Sequence, residues 1–178
     1  MDETLLHKAQ RGDRSACEVL LRELADPWFR LCVSLLGDHE RAREAVQETA
    51  VRFLRNLASF RGASQLRTWS MGIAINVVRE MRRARHIPEA GDAAEQSQEH
   101  RAGPLELAAN AEERLRLGEL LHELPQRQRE AIVLRFFEGL SVEETAAAMG
   151  CASGTVKATV FQALRVLRQR LEQQAEKR

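Results

Sequence analysis

Lys157, Ala158, Phe161, Gln162, Arg165 and Arg168 recur at helical spacing and, at roughly 100° per residue, share one face of a single helix. A solvated face rarely holds a Phe between a Lys and an Arg. A face that reads duplex DNA does, because the ring packs on a thymine methyl while amide and cationic groups reach base edges and phosphates. Ser153 is the natural N-cap of this helix, and Val156, Val160, Leu164, Leu167 and Leu171 form the stripe expected to be buried behind it. The residues just before it, Gly139 to Lys157, read as a helix-turn-helix. Ser141 caps a short helix, Ala146 is small where two helix axes must approach, Gly150 takes the turn at positive φ, and Val156 seats the second helix on the first.

Two upstream helices also separate their chemistry by face. In the helix expected from Gln65 to Arg85, Leu66, Trp69, Ile73, Val77 and Met81 lie on one flank and Arg67, Arg79, Arg82 and Arg83 on the other. Asn76 falls on the border, angularly next to Trp69 and Arg83. An amide at the rim of an apolar pocket beside a basic strip suits an unstacked base whose phosphates are held by arginines. A merely solvated border position would also hold an Asn, and the helix alone does not choose between the two. In the helix expected from His39 to Leu57, Ala42, Val46, Thr49, Phe53 and Leu57 face inward, while Glu40, Glu44, Gln47, Glu48 and Arg55 gather on the far side. That leaves a mostly acidic ridge, which is either an ordinary solvated face or a docking surface for a basic partner.

The elements that position these residues are all helical; no strand-like alternation is sustained. Gly12-Asp13-Arg14-Ser15 predicts a break and cap before a helix from Ala16, Asp26-Pro27 the start of a further helix, and Gly37-Asp38 the start of the next. Later, a helix from about Leu107 ends near Glu123, Leu124-Pro125 opens another, and Glu138-Gly139 closes it. Net charge is +1 over 178 residues, but it is unevenly spread: residues 1–85 carry 15 Lys/Arg against 11 Asp/Glu, 86–111 carry 1 against 5, and 112–178 carry 11 against 10. The middle segment, with Pro-Glu-Ala-Gly-Asp and a closing Ala-Gly-Pro, has linker chemistry. The expected organisation is therefore a helical domain over 1–85, an acidic flexible linker over 86–111 and a helix-turn-helix domain over 112–178.

No apolar run reaches the roughly 20 residues that span a bilayer, and the N-terminus lacks a signal peptide's basic start, so a cytoplasmic protein without membrane insertion is expected. Cys17, Cys32 and Cys151 are isolated from one another and from histidines at metal-ligand spacing, which predicts free thiols, no metal and no cofactor. No nucleophile and base, metal cluster or phosphate loop points to an enzyme.

Several motifs in order resemble one family, the bacterial extracytoplasmic-function (ECF) sigma factors of RNA polymerase. Gly37-Asp38 through Ala45-Val46-Gln47-Glu48-Thr49 to Asn56-Leu57-Ala58-Ser59-Phe60-Arg61-Gly62 is similar to the family's polymerase-binding helix and following loop. Thr68-Trp69-Ser70-Met71-Gly72-Ile73-Ala74-Ile75-Asn76, with Arg82-Arg83-Ala84-Arg85, resembles its −10 element helix. Leu124-Pro125 to Leu134-Arg135, then Gly139-Leu140-Ser141 and Gly154-Thr155-Val156-Lys157, resembles its −35 domain.

The resemblance implies roles residue by residue. Asp38, Glu40, Glu44, Gln47 and Glu48 would meet core RNA polymerase at the β′ clamp, with further contact to the β subunit. Arg61, Arg67, Trp69, Asn76, Arg79, Arg82 and Arg83 would serve the −10 DNA, and Ser153, Thr155, Lys157, Ala158, Phe161, Gln162 and Arg165 the −35 DNA. An anti-sigma factor would be a further partner. Two departures stand out: Arg43 where an acidic residue is usual, and Thr159, Gln162 and Leu164 where the recognition helix usually carries arginines. A stand-alone helix-turn-helix regulator is the alternative reading, but it would need a receiver or ligand-binding fold that residues 1–85 do not offer. A helical interaction adaptor would fit the depleted recognition helix but not the arginines beside Asn76.

Overall fold

The computed structural model of the chain describes residues 3–86 and 111–175, and every regular element in them is helical. The first group contains α1 (Glu3–Gln10), α2 (Arg14–Leu36), α3 (His39–Leu57) and α4 (Leu66–His86). The second contains α5 (Ala111–Glu123), α6 (Gln126–Ile132) continued by a π-helical turn (Val133–Phe137), α7 (Val142–Met149) and α8 (Ser153–Ala175). The helix start near Leu107 and all of the linker expected over 86–111 except its end residues lie outside the described residues; those ends, His86 and Ala111, are the last residue of α4 and the first of α5.

One sequence expectation fails at Pro27. The chain does not restart there; α2 runs from Arg14 through Pro27 to Leu36. An interior proline costs a helix about 3 kcal/mol. Against that, Leu20, Leu24, Trp28, Leu31, Cys32 and Leu35 continue one buried stripe across the proline, and each large apolar side chain contributes about 1.5–3 kcal/mol on burial. Packing therefore outweighs the break. Trp28 also donates its indole N–H to Ser70 Oγ of α4 at 3.0 Å, which ties the segment after the proline to the rest of the domain. The start of α2 lies earlier than expected because Asp13 caps it, accepting from the Ala16 amide at 2.8 Å.

α2, α3 and α4 pack around Trp28, Phe53, Leu57, Met71 and Ile75. Aromatic edges link the layers: Trp28 meets Phe53 at 5.4 Å between ring centroids, Phe53 meets Trp69 at 5.6 Å, and Trp69 meets Phe60 at 4.9 Å. This apolar core does not stop at the first domain. Ala131, Val133, Leu134, Leu140, Ala146, Ala148, Met149 and Val156 belong to the same buried cluster, and α7 packs along α4. A smaller cluster of Leu121, Leu124, Ile132 and Ala163 joins α5, α6 and α8.

Candidate nucleic-acid interface

The helix-turn-helix forms as its local chemistry predicts. Ser141 Oγ accepts from the Glu144 amide at 3.1 Å and Glu144 Oε2 accepts from the Ser141 amide at 2.8 Å, a reciprocal capping box. The Ser141 amide, and then its hydroxyl, hold the Glu144 carboxyl below the usual carboxylate range. At the other end Gly150 sits at φ 65°, where a side chain would be strained, and the Cys151 amide closes the turn on the Ala146 carbonyl at 3.0 Å.

α8 is seated by Val156, half-buried Val160, Ala163 and half-buried Leu167. The expected stripe is corrected at two positions. Leu164 is 46% exposed and Leu171 54% exposed, while Ala163 is fully buried. Steps of four, three and four from Val156 reach 160, 163 and 167, and a small residue at 163 lets the α6 and α8 axes approach. The outward face then carries Thr155, Lys157, Ala158, Phe161, Gln162 and Arg165, all exposed, with Ser153 half-buried at the helix start. Phe161 is 70% exposed. Among the described residues Lys157 and Arg165 form no ion pair, so both cations are available to an anionic ligand.

α4 is in a different situation. Thr68, Ser70, Met71, Ala74, Ile75, Val77 and Val78 are buried, so the helix is covered on more than the single flank its apolar residues suggested. Trp69 is half-buried among Phe53 and Phe60, whereas Asn76 and Arg83 are exposed. Arg79 Nη1 donates to Asn76 Oδ1 at 3.3 Å, which brings two of the proposed base- and phosphate-reading groups together. Arg79 and Arg67 are themselves engaged by carboxylates of the second domain, Glu130 and Glu138, each at 2.7 Å. Arg82 donates to the Leu35 carbonyl at 3.4 Å, and Arg61 is exposed in the loop before α4.

On α3, Asp38 spends its carboxylate on capping, accepting from the Glu40 and Arg41 amides at 2.8 and 3.1 Å. Glu40 pairs with Arg43. Glu48 accepts from Arg52 at 2.6 Å, and Arg52 also bridges to Glu80 of α4 at 2.7 Å. Those hydrogen bonds from Arg52 hold the Glu80 carboxyl below its ordinary range. Glu44 and Gln47 are exposed, and Glu44 forms no ion pair among the described residues.

Sequence reasoning missed two sets of residues. Val51, 41% exposed, and Leu54, 40% exposed, continue the ridge of Glu44, Gln47 and Glu48 at helical steps and make it amphipathic. That signal was available in the periodicity. Glu130 and Glu138 had no such signal, since nothing local distinguishes them from surface charges at a helix end. Burial raises the Glu138 carboxyl, with Arg30 and Arg67 pulling the other way.

The three thiols are free, with Cys32 buried and pushed up to about 12 by that burial. No group of His, Cys, Asp and Glu among the described residues could hold a metal ion, and no helix among them is long and apolar enough to cross a membrane.

Comparison with known proteins places these faces in a family. Residues 20–86 match sigma-70 region 2 and residues 114–167 match sigma-70 region 4. The chain is 33% identical over 172 residues to the RNA polymerase sigma-H factor of Pseudomonas aeruginosa, covering 91% of this chain and 89% of that one. It is likewise 33% identical to the ECF RNA polymerase sigma-E factor of Escherichia coli K12, covering 91% and 90%. Among solved structures, the sigma factor RpoE of Bartonella quintana, determined with the anti-sigma factor NepR, is 28% identical with a TM-score of 0.67, covering 87% of this chain and 96% of that one. CnrH, determined with the cytosolic domain of CnrY, shares the fold at 23% identity and a TM-score of 0.73, covering 96% and 97%. With regions 2 and 4 in order and relatives matched along nearly their whole length, the chain belongs to the ECF sigma factors of the sigma-70 family.

Proposed function

We propose that the protein binds core RNA polymerase, recognises −10 and −35 promoter elements and directs transcription initiation without catalysing a reaction itself. The observation that carries this reading is the outward face of α8. A capped and turned helix-turn-helix presents Lys157, Phe161, Gln162 and Arg165 to solvent, with both cations outside any ion pair among the described residues, which is the set that phosphate contact and base-edge readout need. α3 supports it: exposed Glu44, Gln47, Val51 and Leu54, with half-buried Glu48 between them, form a strip of charge and apolar surface suited to a basic helical partner such as the β′ clamp. Exposed Asn76 accepts from Arg79 and lies two turns after Trp69 on the same side of α4, which suits it to a base exposed when the duplex opens. An anti-sigma factor is part of this proposal, because RpoE and CnrH were determined with such a partner or a protein domain bound.

The test is reconstitution of the full chain with core polymerase and mapping of transcription start sites across genomic DNA. Starts that share a −10 and a −35 element at a constant spacing are the expected outcome. A protein that binds those DNA elements equally well without polymerase, and leaves start sites unchanged, is a stand-alone regulator instead.

A further inference from the structure

α1 precedes residues 20–86, and none of its residues has been given a part in promoter or polymerase contact. It ends in a stiff corner. The Asp13 amide donates to the Lys8 carbonyl at 3.1 Å and the Gly12 amide to the Ala9 carbonyl at 3.0 Å, with Gly12 at φ 86°, the paired closure of a Schellman turn. Asp13 also caps α2 through the Ala16 amide, so one residue takes part both in ending α1 and in starting α2. Half-buried Leu5 and Leu6, with buried Ala9, pack α1 on the core of the first domain. The last residue of α1, Gln10, is thereby held against the far end of α3. Its Nε2 donates to the Leu57 carbonyl at 3.2 Å and to the Phe60 carbonyl at 2.9 Å, across 47 and 50 residues.

Those two carbonyls bound a single turn, which the Phe60 amide closes by donating to the Leu57 carbonyl at 3.2 Å. The last carbonyls of a helix lack intrahelical donors, and Gln10 supplies two N–H groups at this end of α3. Only the NH2 side of an amide can donate to two carbonyls, which settles how the side chain is oriented. Beyond the turn, the Phe60 ring lies against Trp69 of α4 at 4.9 Å between centroids, and the next residue, Arg61, is exposed. The loop before α4 is therefore held on one side by Gln10 and on the other by Trp69.

We propose that Gln10 is a positioning residue for the −10 element: by clamping the turn from Leu57 to Phe60 it keeps Phe60 on Trp69 and presents Arg61 to the separated strand. The proposal rests on the reading of Arg61 and Trp69 as −10 contacts given above. Gln10 acts through the loop and not on the DNA. A loop that is misplaced in most molecules lowers apparent affinity by the fraction correctly placed, and an anchored loop avoids that loss.

Full-length Gln10→Glu keeps the side-chain shape and removes both donors. Gln10→Met removes them without adding charge, and carries the test if circular dichroism shows that the carboxylate unfolds the chain. In the free chain, acrylamide quenching of tryptophan fluorescence reads the loop, because Trp28 is 1% exposed and Trp69 is the other of the two tryptophans. Quenching is expected to rise. With core polymerase, on the promoter that gives the strongest mapped start site, open-complex formation should fall about tenfold while co-elution with polymerase is unchanged. Arg61→Ala should also slow opening, and adding Gln10→Glu to it should cost little more, since both act through one loop. Unaltered quenching, normal opening beside a defective Arg61→Ala, losses that multiply in full in the double variant, or a loss matched by weaker co-elution would each refute the positioning role. A normal Arg61→Ala variant overturns instead the reading of the loop as a −10 contact, so the two failures are distinguishable.

Discussion

Replacing Arg129 by Met should destabilise the protein by about 3 kcal/mol, because this side chain closes two helix ends at once. It is 4% exposed and donates to the carbonyls of Leu121 at 2.8 Å, His122 at 2.5 Å and Leu124 at 3.2 Å, the end of α5 and the residues after it. It also donates to Leu35 at 3.0 Å, at the end of α2 in the other domain. Bonds from a charged donor contribute about 1.5 kcal/mol each at the low end, or about 6 kcal/mol for the four. Burial works against the cation, bringing its pKa down to about 10, with Arg82 adding repulsion and Glu130 opposing it. Escaping that cost returns about 3 kcal/mol to the Met variant. The remaining loss of about 3 kcal/mol lowers Tm by about 6–12 °C in a chain of this size. Urea unfolding followed by circular dichroism measures it, and Arg129→Lys should fall between, since one ammonium cannot span both helix ends. A loss under about 1 kcal/mol for Arg129→Met would show that water satisfies these carbonyls as well as the guanidinium does, and would refute the argument.

The remaining predictions address the cap, the ridge and the recognition face. Ser141→Ala should cost about 1 kcal/mol by removing the α7 capping box. Its pH dependence has a definite sign: because Glu144 is held below its ordinary range, its contribution is present above that range and lost as pH falls through the lowered value. The variant's deficit should therefore shrink in acid, and a deficit constant with pH in thermal melts would dissociate Glu144 from the cap. Reversing Glu44 and Glu48 together to Lys should weaken the complex with core polymerase, the proposed partner being basic; unchanged co-elution removes the ridge from that role. Lys157→Ala should weaken −35 DNA binding on every sequence and lower the salt slope by about 1, whereas Gln162→Ala should flatten preference at one base pair. Selection from a promoter library separates these outcomes, and an unaltered preference in the Gln162 variant means that this side chain reads no base.

Local chemistry made much of the architecture legible in advance. Ser141, Gly150, Asp38 and the α3 bounds His39–Leu57 all rest on signals within four residues or fewer, the reach of a capping side chain or one helical turn, so neighbouring residues sufficed to place them. The outward residues of α8 followed from periodicity for the same reason. Periodicity was less informative where two apolar stripes compete, and the choice of Ala163 over Leu164 was made by the α6 surface that α8 meets. Pro27 shows a local signal overruled, because its lost bond is worth less than the buried stripe it interrupts. The arrangement of α4 against the second domain was beyond any local rule. Arg79 meets Glu130 across 51 residues and Arg67 meets Glu138 across 71, and a lone Arg or Glu carries no mark of the partner that will desolvate it. Sequence marked which faces gather charge; only tertiary packing decided that Arg67 and Arg79 of α4 meet carboxylates while, among the described residues, Lys157 and Arg165 of α8 form no ion pair.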